Sequence, residues 1–288
     1  WQAVGIIQQI AKLAKANAVA PNAPDIDQQL AKVIADYAID MDISTDRVPQ
    51  DRDYSREMIE HAKQLLSYSL PGNLPREFDK KDAGIRDQDD TLWYAAMNAD
   101  NIPWNTNPHY NVVLMDEVQD FNRCQIIMAR KFKESGARVV AVGDRFQSAY
   151  LFRGADANAF QELQNVVTGG EDTPMSLPIN FRSLPPIIDF VNKNTHVTDL
   201  QAAPASFWQA KGVNPNSGKV DVKVKPADFM SQVQQEYQNG NRHLQKETAL
   251  ISRTNAPLVS QGLTLLKSNI DFQILGRDLS NELINHIK

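Results

Sequence analysis

The stretch NVVLMDEVQD, residues 111–120, decides how this chain is read. Val112, Val113, Leu114 and Met115 run straight into Asp116 and Glu117, and Gln119 and Asp120 follow. A short, Val-rich apolar run has the character of a buried strand. Adjacent carboxylates at its end have two readings. They are solvated punctuation, with Asp120 as the N-cap of the next helix, or they are a site. Ligands of open α/β sheets gather beyond the carboxyl ends of the strands. A hard cation such as Mg²⁺ takes one or two carboxylates there and keeps its waters. A neighbouring carboxylate can orient and deprotonate an attacking water.

The segments around this stretch agree with a strand. FNRCQIIMARKFKESG, residues 121–136, has the period of an amphipathic helix stopped by Gly136. ARVVAVGD, residues 137–144, is a second Val-rich run ending in an acid. Strand, helix, strand at this spacing predicts a βαβ unit with buried parallel strands. Upstream, residues 1–17 place Val4, Ile7, Ile10, Leu13 and Ala14 on one helical face. Asp25 is expected to cap a helix carrying Ile26, Leu30, Val33, Ile34 and Tyr37. A third helix is expected over residues 54–70, ended by Pro71 and Gly72. Roughly the first hundred residues predict helices and no strand. Downstream, LPPIIDFVNKN (184–194) predicts a helix opening on prolines. GKVDVKVKP (218–226) alternates Val220, Val222 and Val224 with polar residues and predicts a half-buried strand. ETALISRTN (247–255) and DFQILG (271–276) predict further strands, with a helix over residues 256–269 between them.

Bulk properties narrow the classes. The chain has 288 residues, 42% of them hydrophobic and 23% charged, enough for a substantial core. A net charge of −5 argues against a nucleic-acid coat but leaves room for a local basic groove. The lone cysteine, Cys124, excludes an internal disulfide framework and a cysteine-based zinc cluster. The five histidines are scattered without metal-ligand spacing. No apolar run is long enough to span a bilayer, no secretory signal opens the chain, and the lone cysteine makes a reducing, intracellular setting the default, so a cytoplasmic protein with no membrane partner is expected. The chain opens on Trp1 in mid-helix pattern, as expected of an internal piece.

Four segments occur in order: DEVQD (116–120), VAVGDRFQSAYLFRGAD (140–156), LPINFRSLPPII (177–188) and ALISRTNA (249–256). Together they resemble the UvrD/Rep family of superfamily 1 DNA helicases, over about residues 88–276. The resemblance implies an α/β fold of RecA-like P-loop NTPase domains, each a parallel sheet with flanking helices, with a helical N-terminal insertion region. Residues 1–100 would be mostly that insertion, 101–175 the later half of the first RecA-like domain, and 176–288 the start of the second. It implies an ATP-dependent helicase or translocase moving 3′ to 5′ on single-stranded DNA, with Mg²⁺ and ATP at the domain cleft. Partners would be single-stranded DNA, duplex junctions and a nuclease or repair protein. The setting would be DNA repair or replication in a bacterial or phage-infected cell.

The same resemblance implies roles. Asp116 would hold Mg²⁺ through water and Glu117 would activate the attacking water. Gln119 looks like a coupling residue beside the nucleotide, and Gln147 resembles the glutamine that senses the γ-phosphate. Phe181 matches the ring that packs on adenine, and Arg182 resembles the arginine finger. Tyr150, Phe152 and Arg153 resemble DNA-touching residues, and Arg253 and Asn255 match a motif near the DNA path. Taken singly, Phe152 and Phe181 read as core aromatics, Gln147 as a turn residue, Arg182 as an ion-pair partner and Arg253 as a strand-end cap.

The chain departs from the family at Ala149, where Ile is usual, at Phe152 and at Phe181. It contains no G-x-x-x-x-G-K-[ST] upstream of the acids. GVNPNSGKV (212–220) has one residue too many, and Val220 replaces the metal-binding hydroxyl. The family's adenine-reading glutamine motif and its last arginine motifs are missing too. Truncation is the expected reason for these gaps. The alternative is a non-hydrolysing DNA-binding or scaffold subunit of a helicase–nuclease complex.

Overall fold

A computed structural model describes residues 2–43, 53–70, 73, 88–104, 110–148, 150, 154–170, 174–222, 225–240, 249–252 and 254–273. The chain divides into two compact units, Trp1–Leu177 and Pro178–Lys288.

The first unit opens with α1 (Gln2–Ala16), α2 (Ile26–Asp36), α3 (Tyr54–Tyr68) and α4 (Gln88–Met97). Helix α1 packs on each of the other three. Its buried stripe is Ile6, Ile10, Leu13 and Ala14, spaced i, i+4, i+7, i+8. Val4, expected on that stripe, is half exposed. Ile6 and Ile7 are adjacent, so two overlapping stripes fit the same period. Packing selects the one through Ile6. On α2, Leu30 and Val33 are buried as expected. Asp25 precedes this helix, but its carboxylate makes no cap and instead accepts from Gln29 Nε2 at 2.8 Å. Asp53 does cap α3, accepting from Arg56 N at 3.0 Å. Pro71 and Gly72 lie outside the described residues. Ile10, Leu13, Leu30, Leu66 and Trp93 form the centre of the helical core. Each such burial contributes roughly 1.5–3 kcal/mol. Lys15 and Asp90 form an ion pair inside it, and Trp93 Nε1 donates to Val19 O at 3.0 Å.

The same unit carries β1 (Val112–Met115), α5 (Arg123–Glu134), β2 (Arg138–Ala141) and α6 (Ala159–Thr168). β1 and β2 pair in parallel, Val112 opposite Arg138 through Met115 opposite Ala141. The expected βαβ unit therefore forms. Gly136, at φ +93°, follows the end of α5 as expected. The cap of α5 is Asn122, not Asp120. Asn122 Oδ1 accepts from Gln125 N, and Gln125 Oε1 accepts from Asn122 N. This reciprocal capping box satisfies helix-end donors that Asp120 cannot reach from its own 3₁₀ turn.

The strands are not buried on both faces as expected. Met115 and Ala141 pack toward Ile126, Ala129, Ala159 and Leu163. Val112, Leu114, Val140 and Val142 point the other way and are exposed, Leu114 by 77%. Side chains alternate across a strand, and among the described residues helices α5 and α6 cover one face only.

The second unit has β3 (Ile179–Asn180) parallel to β4 (Gln201–Ala202), with α7 (Pro185–Asn194), α8 (Ala205–Ala210), α9 (Pro226–Gln238) and α10 (Asn255–Lys267). Helix α7 opens on prolines and α10 forms, both as expected. A small core joins Met230, Leu265 and Ile270. The three strands expected here do not form in residues 218–222, 249–252 or 271–273. The rest of those runs lies outside the described residues. A period-two pattern becomes a strand only when a neighbour completes the ladder. Among the described residues Val222 and Ile251 meet no such neighbour, and both are strongly exposed.

Candidate active site

Asp116 follows β1 directly and is exposed. Its Oδ1 accepts from Glu117 N at 2.9 Å. Glu117 adopts left-handed backbone angles, φ 51° and ψ 42°, which costs a side-chain-bearing residue about 1–2 kcal/mol. Neighbouring hydrogen bonds hold it there. Val142 N donates to Met115 O at 2.9 Å and Val118 N donates to Val142 O at 3.2 Å.

Gln119 lies beneath the acids and is only 3% exposed. Its Nε2 donates to Glu117 Oε2 at 2.5 Å, and its Oε1 accepts from Asp144 N at 2.9 Å. A carboxylate only accepts and a backbone N–H only donates, so the amide has one orientation. Gly143 makes room for it. A Cβ there would lie 2.6 Å from Gln119 Oε1 and 2.8 Å from Val118 Cγ2.

The loop after β2 is held by Asp144. Oδ1 accepts from Phe146 N at 2.9 Å and Oδ2 from Gln147 Nε2 at 2.8 Å. Farther on, the chain returns to the start of α5, where Asp156 N donates to Phe121 O at 2.9 Å. Gly154 has φ +98°, and a Cβ on it would stand 2.5 Å from Ala16 Cβ. The loop is thereby seated on the end of α1. Tyr150 is exposed. Phe152 and Arg153 lie outside the described residues.

The structure thus brings Asp116, Glu117, Gln119 and Gln147 together at the carboxyl ends of β1 and β2. Glu117, Gln119, Asp144 and Gln147 form a continuous hydrogen-bonded chain. Asp144, Gly143 and Asn122 were not singled out from the sequence. Asp144 had a signal, since it ends the second Val-rich run as Asp116 ends the first. Among the described residues no group of three or more His, Cys, Asp or Glu could hold a metal ion. One or two exposed carboxylates are what Mg²⁺ takes while keeping its waters, so Asp116 and Glu117 fit that ion. Cys124 does not fit a nucleophile's role. Burial pushes its thiol up to about 12.

In the second unit, Asn180 Oδ1 accepts from Arg182 N at 2.9 Å and Ser183 N at 2.8 Å. This turn presents Arg182 to solvent. Phe181, 53% exposed, meets Phe207 edge-on with centroids 5.1 Å apart. Phe207 in turn meets Trp208 at 5.1 Å, and the Lys211 ammonium lies 4.8 Å from the Phe207 centroid. Arg253 lies outside the described residues. Asn255 opens α10, and its side chain is also outside them. Residues 212–220 are a loop.

Ligands of open α/β sheets gather at the carboxyl ends of the strands, where these acids stand, and comparison with known proteins gives the chain a family. Residues 6–168 match the UvrD/REP helicase N-terminal domain, and the chain belongs to this family. The match runs from α1 through α6. Among its relatives is the ATP-dependent DNA helicase PcrA of Bacillus subtilis, 27% identical over 174 residues, covering 58% of this chain and 22% of the relative. The protein of the same name from Staphylococcus epidermidis is 29% identical over 177 residues, covering 58% and 23%. That of Staphylococcus aureus is 26% identical over 177 residues, with the same coverage. The chain spans about a fifth of the length of these relatives.

Proposed function

We propose that the protein is an ATP-dependent DNA helicase or translocase, moving 3′ to 5′ on single-stranded DNA. The observation that carries this reading is the hydrogen-bonded chain from Glu117 to Gln147, inside the segment the family matches. Bound Mg²⁺ would supply Lewis-acid charge at the phosphate oxygens. Asp116 would hold the ion. Glu117 orients the attacking water and takes its proton. Gln119 keeps that carboxylate in place by donating to it. Gln147 suits a phosphate sensor, since its amide both donates and accepts.

On the family pattern Phe181 packs on adenine and Arg182 stabilises charge in the transition state. Tyr150, Phe152 and Arg153 face DNA, where base stacking is worth roughly 1–3 kcal/mol per base and tolerates any sequence. Arg253 and Asn255 match the family's motif near the DNA path. Residues 1–100, 101–175 and 176–288 are read as helical insertion, first RecA-like domain and second RecA-like domain. Single-stranded DNA and duplex junctions are the partners, with a nuclease or repair protein as a further one, and the cytoplasm is the setting. Among the described residues no helix is long and apolar enough to cross a membrane.

The test is DNA-stimulated ATP hydrolysis by the full-length protein. Glu117→Gln should lower turnover by about 10²–10⁴-fold and leave single-stranded DNA binding intact. DNA binding without ATP hydrolysis in the unmodified protein would replace this reading with a non-hydrolysing DNA-binding or scaffold subunit.

A further inference from the structure

Asp144 is committed on three sides. Its backbone N–H is held by buried Gln119, Oδ1 accepts from Phe146 N, and Oδ2 accepts from Gln147 Nε2. The first contact anchors the residue to the strand ends, and the second closes the turn that carries Gln147. The third acts on Gln147 itself. An ionised carboxylate cannot donate, so the amide must turn Nε2 toward Asp144. Oε1 is then the end left away from the loop. An exposed glutamine without such a partner presents either end.

We infer that Asp144 is a positioning residue that sets the orientation of the Gln147 amide. This rests on the reading of Gln147 as the phosphate sensor. That role asks one amide to accept from a water and donate to a phosphate oxygen. Only a fixed amide does both from one position. With Nε2 on Asp144, Oε1 is offered to the water and the second N–H hydrogen stays available to phosphate. The anchor reaches further back. Gln119, which holds Asp144 N, also donates to Glu117. The base and the sensor are therefore registered to each other through one buried side chain.

Asp144→Asn separates this role from a merely structural one. Its single carboxamide oxygen stays with Phe146 N, because that backbone donor cannot turn over. Nδ2 then faces Gln147, whose amide must flip to offer Oε1. The side-chain ¹⁵N–¹H₂ signals of Gln147, identified by their loss in Gln147→Glu, report the flip. In the unmodified protein they should exchange slowly with water and lie away from free-glutamine positions. In Asp144→Asn they should move to free-glutamine positions and exchange faster, with the Phe146 backbone amide unchanged. Asp144→Ala should move both. In the full-length protein, Asp144→Asn should lower kcat for DNA-stimulated ATP hydrolysis roughly tenfold at unchanged KM. Gln147 signals unaffected by Asp144→Asn would overturn the inference, as would a raised KM at unchanged kcat. The signal change in a protein that never hydrolyses ATP would uphold the contact and sink the helicase reading instead.

Discussion

In the first unit, the turns that carry candidate site residues are tied to buried groups. Glu117 and Asp144 share buried Gln119, and Gly154 rests on Ala16 of α1. In the second unit, Arg182 and Phe181 ride on an exposed turn held by one asparagine side chain and the edge of one ring. The difference matches what each group is proposed to do. A base and a sensor act best when their dipoles are set before the reaction begins. A guanidinium that serves only part of a cycle must be free to come and go. Holding it at the surface also avoids the desolvation cost of a buried charge.

Substitutions in the two units should separate in size. The largest stability effect is expected from Lys15→Ala, which breaks the ion pair with Asp90 in the helical core. Loss of one member of a buried pair costs about 3–5 kcal/mol, measurable by urea unfolding followed through Trp93. Next is Gly154→Ala, where a left-handed φ and a clash with Ala16 combine. Together they should cost about 2–5 kcal/mol, and pairing the change with Ala16→Gly should recover the steric part. In the second unit, Asn180→Ala removes an acceptor shared by Arg182 N and Ser183 N. At an exposed turn this should cost about 1 kcal/mol, read through Trp208. A cost as large as that of Gly154→Ala would break the contrast between the units. The smallest effect is expected from Arg182→Ala, within about 0.5 kcal/mol in stability. A larger loss would mean that the arginine holds the fold as well.

The parts of the fold legible in the sequence are those set by neighbours in the chain. The Val-rich runs around Gly136 and the prolines at Pro185 and Pro186 mark their elements because short-range chemistry dictates them. Asn122 is legible too, since Gln125 stands three residues on in a capping-box spacing. Gln119 is not. Its partner Asp144 N is 25 residues away, and only strand pairing brings the two together. The alternating valines at 220 and 222 show the opposite failure. Their spacing is right for a strand, yet spacing cannot supply a ladder.

Glu117's left-handed backbone also sets an order in time. Its strain is offset in part by bonds that its neighbours make, Met115 and Val118 with Val142 and Gln119 with Asp144, and these exist only once β2 lies beside β1. Until then only bonds local to the turn, such as Glu117 N to Asp116 Oδ1, act on its shape. The site should therefore assemble late in folding, after α5 and the strand pair. Gln119→Ala should speed unfolding and leave the refolding rate nearly unchanged, so the chemistry-bearing corner would be the last part of the unit to arrive and the first to leave.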